Sequence, residues 1–183
     1  MAALPRPQDD PITALGETDP KRLGRDEFVT LLEAASAPDG DGTGLSALPP
    51  EQFARIVSRA TSEQLKAVLG RPELREKILE EVFRRMREHY TGGEAAGTVR
   101  WRVDTGDDLL RWECELAGGE CTVSKGSTAG EPRTTLTMPP LEFIKLAAGN
   151  TSPGKLLMTG RLKVSGDLTF AAALPKLFRI PQP

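Results

Sequence analysis

The apolar residues of this 183-residue chain change their period at Gly92-Gly93, and that change constrains the fold more than any motif does. Upstream they recur every three to four positions, the period of a helix with one buried stripe. Phe53, Ile56 and Val57 follow Pro49-Pro50, and a second run opens at Thr61-Ser62-Glu63-Gln64 and closes at Gly70. That tetrapeptide has the spacing of a capping box, in which the Thr hydroxyl and the Gln amide satisfy each other's backbone N–H. A third helix, from Pro72 to about Tyr90, sets Leu79, Phe83, Met86 and Tyr90 on one face with Leu74, Ile78 and Val82 beside them. Glu73/Lys77, Glu80/Arg84 and Glu81/Arg85 lace its outer side at i,i+4. Because acids and bases alternate there, the run reads as a solvated helix side and not as a nucleic-acid face.

Downstream the period becomes two. Val99, Trp101 and Val103 alternate with Arg100 and Arg102; Leu110, Trp112, Cys114 and Leu116 alternate with Arg111, Glu113 and Glu115. Gly118-Gly119 is a two-residue hairpin turn, which predicts that Leu116 opposes Cys121 and Cys114 opposes Val123. Leu136 with Met138, and Leu162 with Val164, mark two further strands. Strands that are apolar on one side only require helices on that side. Pro139-Pro140 opens one with Leu141, Phe143, Ile144 and Leu146, ended by Gly149-Asn150, and Ser152-Pro153 caps a short one with Leu156, Leu157 and Met158, stopped by Gly160. Asp167 caps a last one bearing Phe170, Leu174, Leu177 and Phe178, whose final turn Pro175 kinks or converts. The expected fold is α+β: a five-stranded, mostly antiparallel sheet with helices on one face and an N-terminal helical extension.

Residues 1–24 are rich in Pro, Asp and Gly, show no periodicity and read as a mobile arm, after which Phe28, Leu31, Leu32 and Ala35 mark one short helix. The expected organisation is a flexible arm over 1–48, a helical extension over 49–73 and a sheet-containing domain over 74–183. Asp39, Asp41, Thr43 and Gly44 match the start of a calcium-binding loop, but Pro50 stands where a bidentate Glu is required, so no metal is expected. A net charge of -2 does not suggest a nucleic-acid partner, although residues 141–183 hold six bases against two acids. The sequence has no apolar run of about 18 residues and no basic, apolar leader, which places the protein in the cytoplasm with reduced cysteines.

Catalytic signals are sparse. The single histidine, His89, sits in the charged end of a helix, and the two cysteines lack metal-ligand spacing. GSTAG at 126–130 has Thr where a nucleophile elbow has Ser, and it lies between strands. Gly40, Gly42 and Gly44 fail the dinucleotide fingerprint because Leu45 takes the third glycine's place. Glu113 and Glu115 share a strand face, whose ordinary occupants are solvated carboxylates. No catalytic residue, cofactor or metal is assigned.

The segment TLTMPPLEFIKLAAGNTSPGKLLMTGRLKVSGDLTFAAALPKLF, residues 135–178, resembles the C-terminal half of the sterol carrier protein 2 family. The shared pattern is a strand, a two-helix segment with Phe143, Leu146 and Gly149, then Leu157-Met158-Thr159-Gly160-Arg161-Leu162-Lys163 ahead of Gly166-Asp167, and an apolar helix ending in Leu177-Phe178. Arg161 stands where Lys is usual. The likeness extends loosely back to about Leu74 and leaves residues 1–70 uncovered. It implies an apolar tunnel between sheet and helices that binds sterols, fatty acids or fatty acyl thioesters without a cofactor. The ligand-binding residues it suggests are Trp101, Trp112, Met138, Phe143, Leu146, Met158, Phe170, Leu174, Leu177 and Phe178; spacing alone does not distinguish lining a cavity from filling one. The implied function is non-catalytic binding or transfer of a hydrophobic small molecule. The alternative is an enzyme acting on a polyketide or terpenoid held in the same tunnel. Lys176 and Arg179 would face an acyl-CoA phosphate or an anionic membrane; oligomeric state is left open.

Overall fold

The computed structural model describes residues 10–37, 44–128 and 130–179. The chain divides into two compact units, residues 1–81 with 148–150 and 181–183, and residues 82–147 with 151–180.

The first unit is helical. It contains α1 (Pro11–Glu17), α2 (Arg25–Ser36), α3 (Pro50–Arg59), α4 (Ser62–Leu69) and the start of α5 (Pro72–Glu88), with 3-10 turns at Pro20–Arg22 and Gly44–Ala47. Helix α2 packs on α1 and α4, and Leu15, Phe28, Val29, Ala54 and Val68 are buried. The capping box forms as the sequence predicts: Gln64 N–H donates to Thr61 Oγ1 at 3.1 Å and Thr61 N–H to Gln64 Oε1 at 2.9 Å. The other end of the Gln64 amide donates to the carbonyls of Pro20 and Leu23, both at 2.9 Å. One buried side chain thus starts α4 and fastens the turn before α2.

The sequence predicts a flexible arm with one possible short helix over 1–48. Among the described residues of 1–48 stand α1, α2 and two 3-10 turns, with Leu15 and Phe28 in a core. Pro11 and Pro20 are each the first residue of a helical segment, where a missing N–H costs nothing. The residues that match a calcium loop, Asp39, Asp41 and Thr43, lie outside the described residues.

The second unit carries a sheet of order β3-β2-β1-β4-β5: β1 (Gly97–Asp104), β2 (Leu109–Ala117), β3 (Glu120–Lys125), β4 (Thr134–Met138) and β5 (Lys163–Gly166). Only the β1–β4 pair is parallel. Leu116 opposes Cys121 and Cys114 opposes Val123, the register predicted from the glycine pair, whose φ angles of 60° and 81° are those of a tight hairpin turn. Trp101 lies between Trp112 and Leu136, and Val103 between Leu110 and Met138, so one face of the sheet is continuously apolar. Helices α6 (Pro140–Ala147), α7 (Pro153–Met158) and α8 (Leu168–Ala173) follow, and α8 tightens into a 3-10 turn at Leu174–Lys176, where Pro175 denies it a helical hydrogen bond.

Two contacts fix the closing segment. Gly166 has φ 91°, and a Cβ there would stand 2.6 Å from the Arg133 carbonyl oxygen, so only glycine permits this approach of β5 to β4. Beyond α8 the chain returns to the end of α5: Thr91 N–H donates to Leu177 O and Arg179 N–H to His89 O, each at 2.8 Å, with Tyr90 and Phe178 bridged between them.

Three charged groups depart from their expected places. Glu81 and Arg85, assigned by spacing to the solvated side of α5, are both buried. Glu113 points to the sheet face opposite Trp112 but is only 2% exposed, because the connection from β3 to β4 folds over it.

Candidate functional site

Four rings gather on the apolar face of the sheet. Phe83 of α5 stacks on Trp112 with centroids 4.8 Å apart and on Phe143 of α6 at 4.9 Å, and meets Trp101 edge-on at 6.2 Å. Trp101 and Phe143 complete the set with an edge contact at 5.6 Å. The arrangement follows from the register: Trp101 and Trp112 are directly opposed on neighbouring strands, so their rings share one face. Lys125 Nζ lies 5.8 Å from the centre of the Trp112 ring, at the β3 side.

Trp101 is 5% exposed, yet its indole N–H has no hydrogen-bonded partner. The indole N–H bears on the Cys114 sulfur, a weak acceptor, short of a formed hydrogen bond, and acts to lower that thiol. Cys114 donates to Cys121, and this bond together with burial holds its thiol well above the usual thiol range. Acceptance of that bond lowers the Cys121 thiol, against the effect of burial and with help from the charge of Arg87. The Tyr90 hydroxyl is a second buried donor without a partner, its ring 5.5 Å from that of Phe178.

Of the residues suggested as ligand-binding, the structure buries Trp101, Trp112, Met138, Phe143, Leu146, Phe170 and Leu174. Phe170 is covered by the Arg133 guanidinium, 4.0 Å from its ring centre, and Arg133 also binds Asp167, the N-cap of α8, at 3.0 Å. Leu177 and Phe178 are half-buried in the paired tail. Met158 stands apart at 91% exposed, on the surface at the end of α7. Phe83, the ring that joins the other three, was not among those residues. Its place on the Leu79–Phe83–Met86–Tyr90 face of α5 was legible, but helical spacing does not say what a face meets. Lys176 and Arg179 are exposed.

On the opposite sheet face, Glu113 accepts hydrogen bonds from Arg100 Nε at 2.8 Å and from Thr128 N–H at 3.0 Å. Arg100 also donates to the Gly130 carbonyl at 3.1 Å. Burial pushes the Glu113 carboxyl up, but the bonds from Thr128 and Arg100 and the Arg100 charge outweigh it and leave the group below its usual value. With both Glu113 oxygens accepting, this cluster fastens a loop. Among the described residues no group of three or more His, Cys, Asp or Glu is placed to hold a metal ion.

Comparison with known proteins bears on the same part of the chain. Residues 93–179 match the model of the SCP-2 sterol transfer family. A curated relative, hydroxysteroid dehydrogenase-like protein 2 of Xenopus laevis, is 31% identical over 75 residues, which cover 41% of this chain and 18% of that protein. The chain thus spans less than a fifth of that relative's length. Among solved structures, sterol carrier protein 2 like 2 of Aedes aegypti aligns with a TM-score of 0.47 and 21% identity, over 56% of this chain and 94% of its own. Sterol carrier protein-2 of the same organism, in complex with palmitate, aligns with a TM-score of 0.43 and 13% identity, over 54% of this chain and 94% of its own.

Proposed function

Since residues 93–179 belong to the SCP-2 sterol transfer family, we propose that the second unit binds and transfers a hydrophobic small molecule held between the apolar sheet face and its helices. The ligand class is a sterol, a fatty acid or a fatty acyl thioester. The observation that carries this reading is the ring layer of Phe83, Trp101, Trp112 and Phe143 with the unpartnered indole N–H inside it. Rings offer a large apolar contact surface at low conformational cost, and a buried donor without an acceptor is destabilising by about 1–3 kcal/mol unless something satisfies it. A carbonyl or hydroxyl on an otherwise apolar ligand would do so. Met138, Leu146, Phe170 and Leu174 would complete the apolar wall, with Leu177, Phe178 and the Tyr90 hydroxyl at its tail side. Met158 is left out because it faces solvent. An acyl-CoA phosphate would find Lys176 and Arg179 on the exposed turn beside that tail.

Native mass spectrometry of the purified protein, followed by titration with a fluorescent fatty acid, tests the proposal. Co-purified lipid or saturable binding at one site per chain supports it, and no saturable binding of any apolar probe refutes it. Recovery of the lipid after incubation separates transfer from turnover: unchanged lipid is expected, and a rearranged product would move the reading to an enzyme.

A further inference from the structure

The end of α7 and its turn into β5 present apolar side chains to water. Leu157 is 49% and Met158 91% exposed, while Leu156 and Leu162 on either side are buried. The turn between these anchors is well tied. Arg161 N–H and Leu162 N–H both donate to the Leu156 carbonyl, at 2.8 and 3.1 Å, and the Thr159 hydroxyl donates to the Lys155 carbonyl at 3.0 Å. A Cβ placed on Gly160 or Gly154 would meet nothing within 4 Å, so the backbone here borders open space. The fold therefore holds Leu157 and Met158 outward on a fastened turn.

Single exposed apolar residues are common and assign nothing by themselves. The charge around these two does. Between Glu142 and Asp167 the sequence contains no acid, and Lys155, Arg161 and Lys163, all exposed, surround the apolar pair in the chain. Arg161 touches Glu142 at 3.3 Å but is still 60% exposed.

We propose that this tip docks on an anionic lipid bilayer, inserting Leu157 and Met158 among the headgroups while Lys155, Arg161 and Lys163 contact the phosphates. A protruding apolar pair within a cationic stretch fits an anionic interface, where insertion and electrostatic attraction act together. It is small for a protein partner, since stable protein interfaces bury about 800 Å² on each side. Each base near an anionic surface raises binding about fivefold, so the contact is weak, reversible and sensitive to salt. This docking surface does not depend on the interior holding a ligand.

The test is flotation of the full chain with phosphatidylcholine vesicles, with and without phosphatidylglycerol. Binding is expected only to the anionic vesicles and is expected to fall as salt rises. Met158→Asp should reduce it about tenfold and Lys163→Glu about fivefold or more, with the melting temperature unchanged, while Arg111→Glu, on β2 and separated from β5 by β1 and β4, should have little effect. Any of three results overturns the proposal: binding by Met158→Asp equal to wild type, equal loss in Arg111→Glu and Lys163→Glu, or a wild-type dimer that Met158→Asp converts to monomer without a change in vesicle binding. Parallel titration with a fluorescent fatty acid keeps the two readings separate, because failure to float with intact uptake refutes docking alone.

Discussion

Glu113 on one face of the sheet and Trp101 on the other are both buried, and their polar atoms stand in opposite states. On the outer face Glu113 is enclosed with its hydrogen bonds made, by Arg100 and by the backbone of Thr128. On the inner face Trp101 is enclosed among rings with its N–H unmet. A satisfied buried group holds structure together, whereas an unsatisfied one is a standing cost that a ligand can remove. The comparison separates a fastening from a candidate binding point by hydrogen-bond accounting, where burial alone would class both as core.

The largest expected effect lies on the outer face. Glu113→Ala leaves Arg100 and the Thr128 N–H without their acceptor and should lower stability by about 3 kcal/mol in urea unfolding. Arg100→Ala should cost at least as much, because it leaves the Glu113 carboxylate, 2% exposed, buried without its counter-charge, whereas water can reach Arg100, 20% exposed, when Glu113 is removed. A Glu113→Ala protein as stable as wild type would remove the outer half of the comparison.

Acid sharpens the same point. The folded carboxyl of Glu113 titrates below its unfolded value, so its contribution is present above the usual carboxylate range and is lost as pH falls through the lowered folded value. The stability gap between wild type and Glu113→Gln should therefore be widest near neutral pH and shrink on acidification. A gap that grows as pH falls would mean the carboxyl is raised, not lowered.

Phe178→Ala should have an intermediate effect, about 1–2 kcal/mol, since the ring is half-buried against Tyr90 and the tail keeps its backbone bonds to residues 89–91. Loss of lipid binding beyond that destabilisation would place the tail at the ligand; loss strictly in step with unfolding would make Phe178 plain packing.

The smallest change in stability, and the most telling in binding, is expected for Trp101→Phe. Removing the unsatisfied donor relieves about 1–3 kcal/mol, which the packing lost with the smaller ring offsets, so stability should shift by less than about 1 kcal/mol net. It should weaken binding of a fatty acid more than binding of an apolar probe without a carbonyl or hydroxyl. Equal weakening of both probes would mean that the ring matters and the N–H does not.

Much of this molecule is local and was legible. The hairpin register came from Gly118-Gly119, the start of α4 from Thr61 and Gln64, the cap of α8 from Asp167, and the change of its last turn from Pro175. Each depends on residues within a few positions of one another, where backbone sterics and reciprocal hydrogen bonds decide the outcome. The family likeness over the closing segment was legible as well, because order and spacing are properties of the chain.

What tertiary structure decided is which side of each element meets something else. Strand alternation put Glu113 on the outer face, but its burial depends on the β3–β4 connection folding back, a contact across 15 positions that no period records. Helical spacing put Phe83 on an apolar stripe, but only the sheet and α6 make it the centre of four rings. Met158 carries the same apolar signal as Leu156, yet one is buried and the other in water, because a helix of six residues presents its last turn wherever the next strand leaves room. Pro11 and Pro20 lie among residues read as a mobile arm, yet each opens a helical segment there and Leu15 between them is buried. Sequence fixes periods and caps through nearest-neighbour chemistry; exposure is a property of pairs far apart in the chain, and only the folded arrangement brings those pairs together.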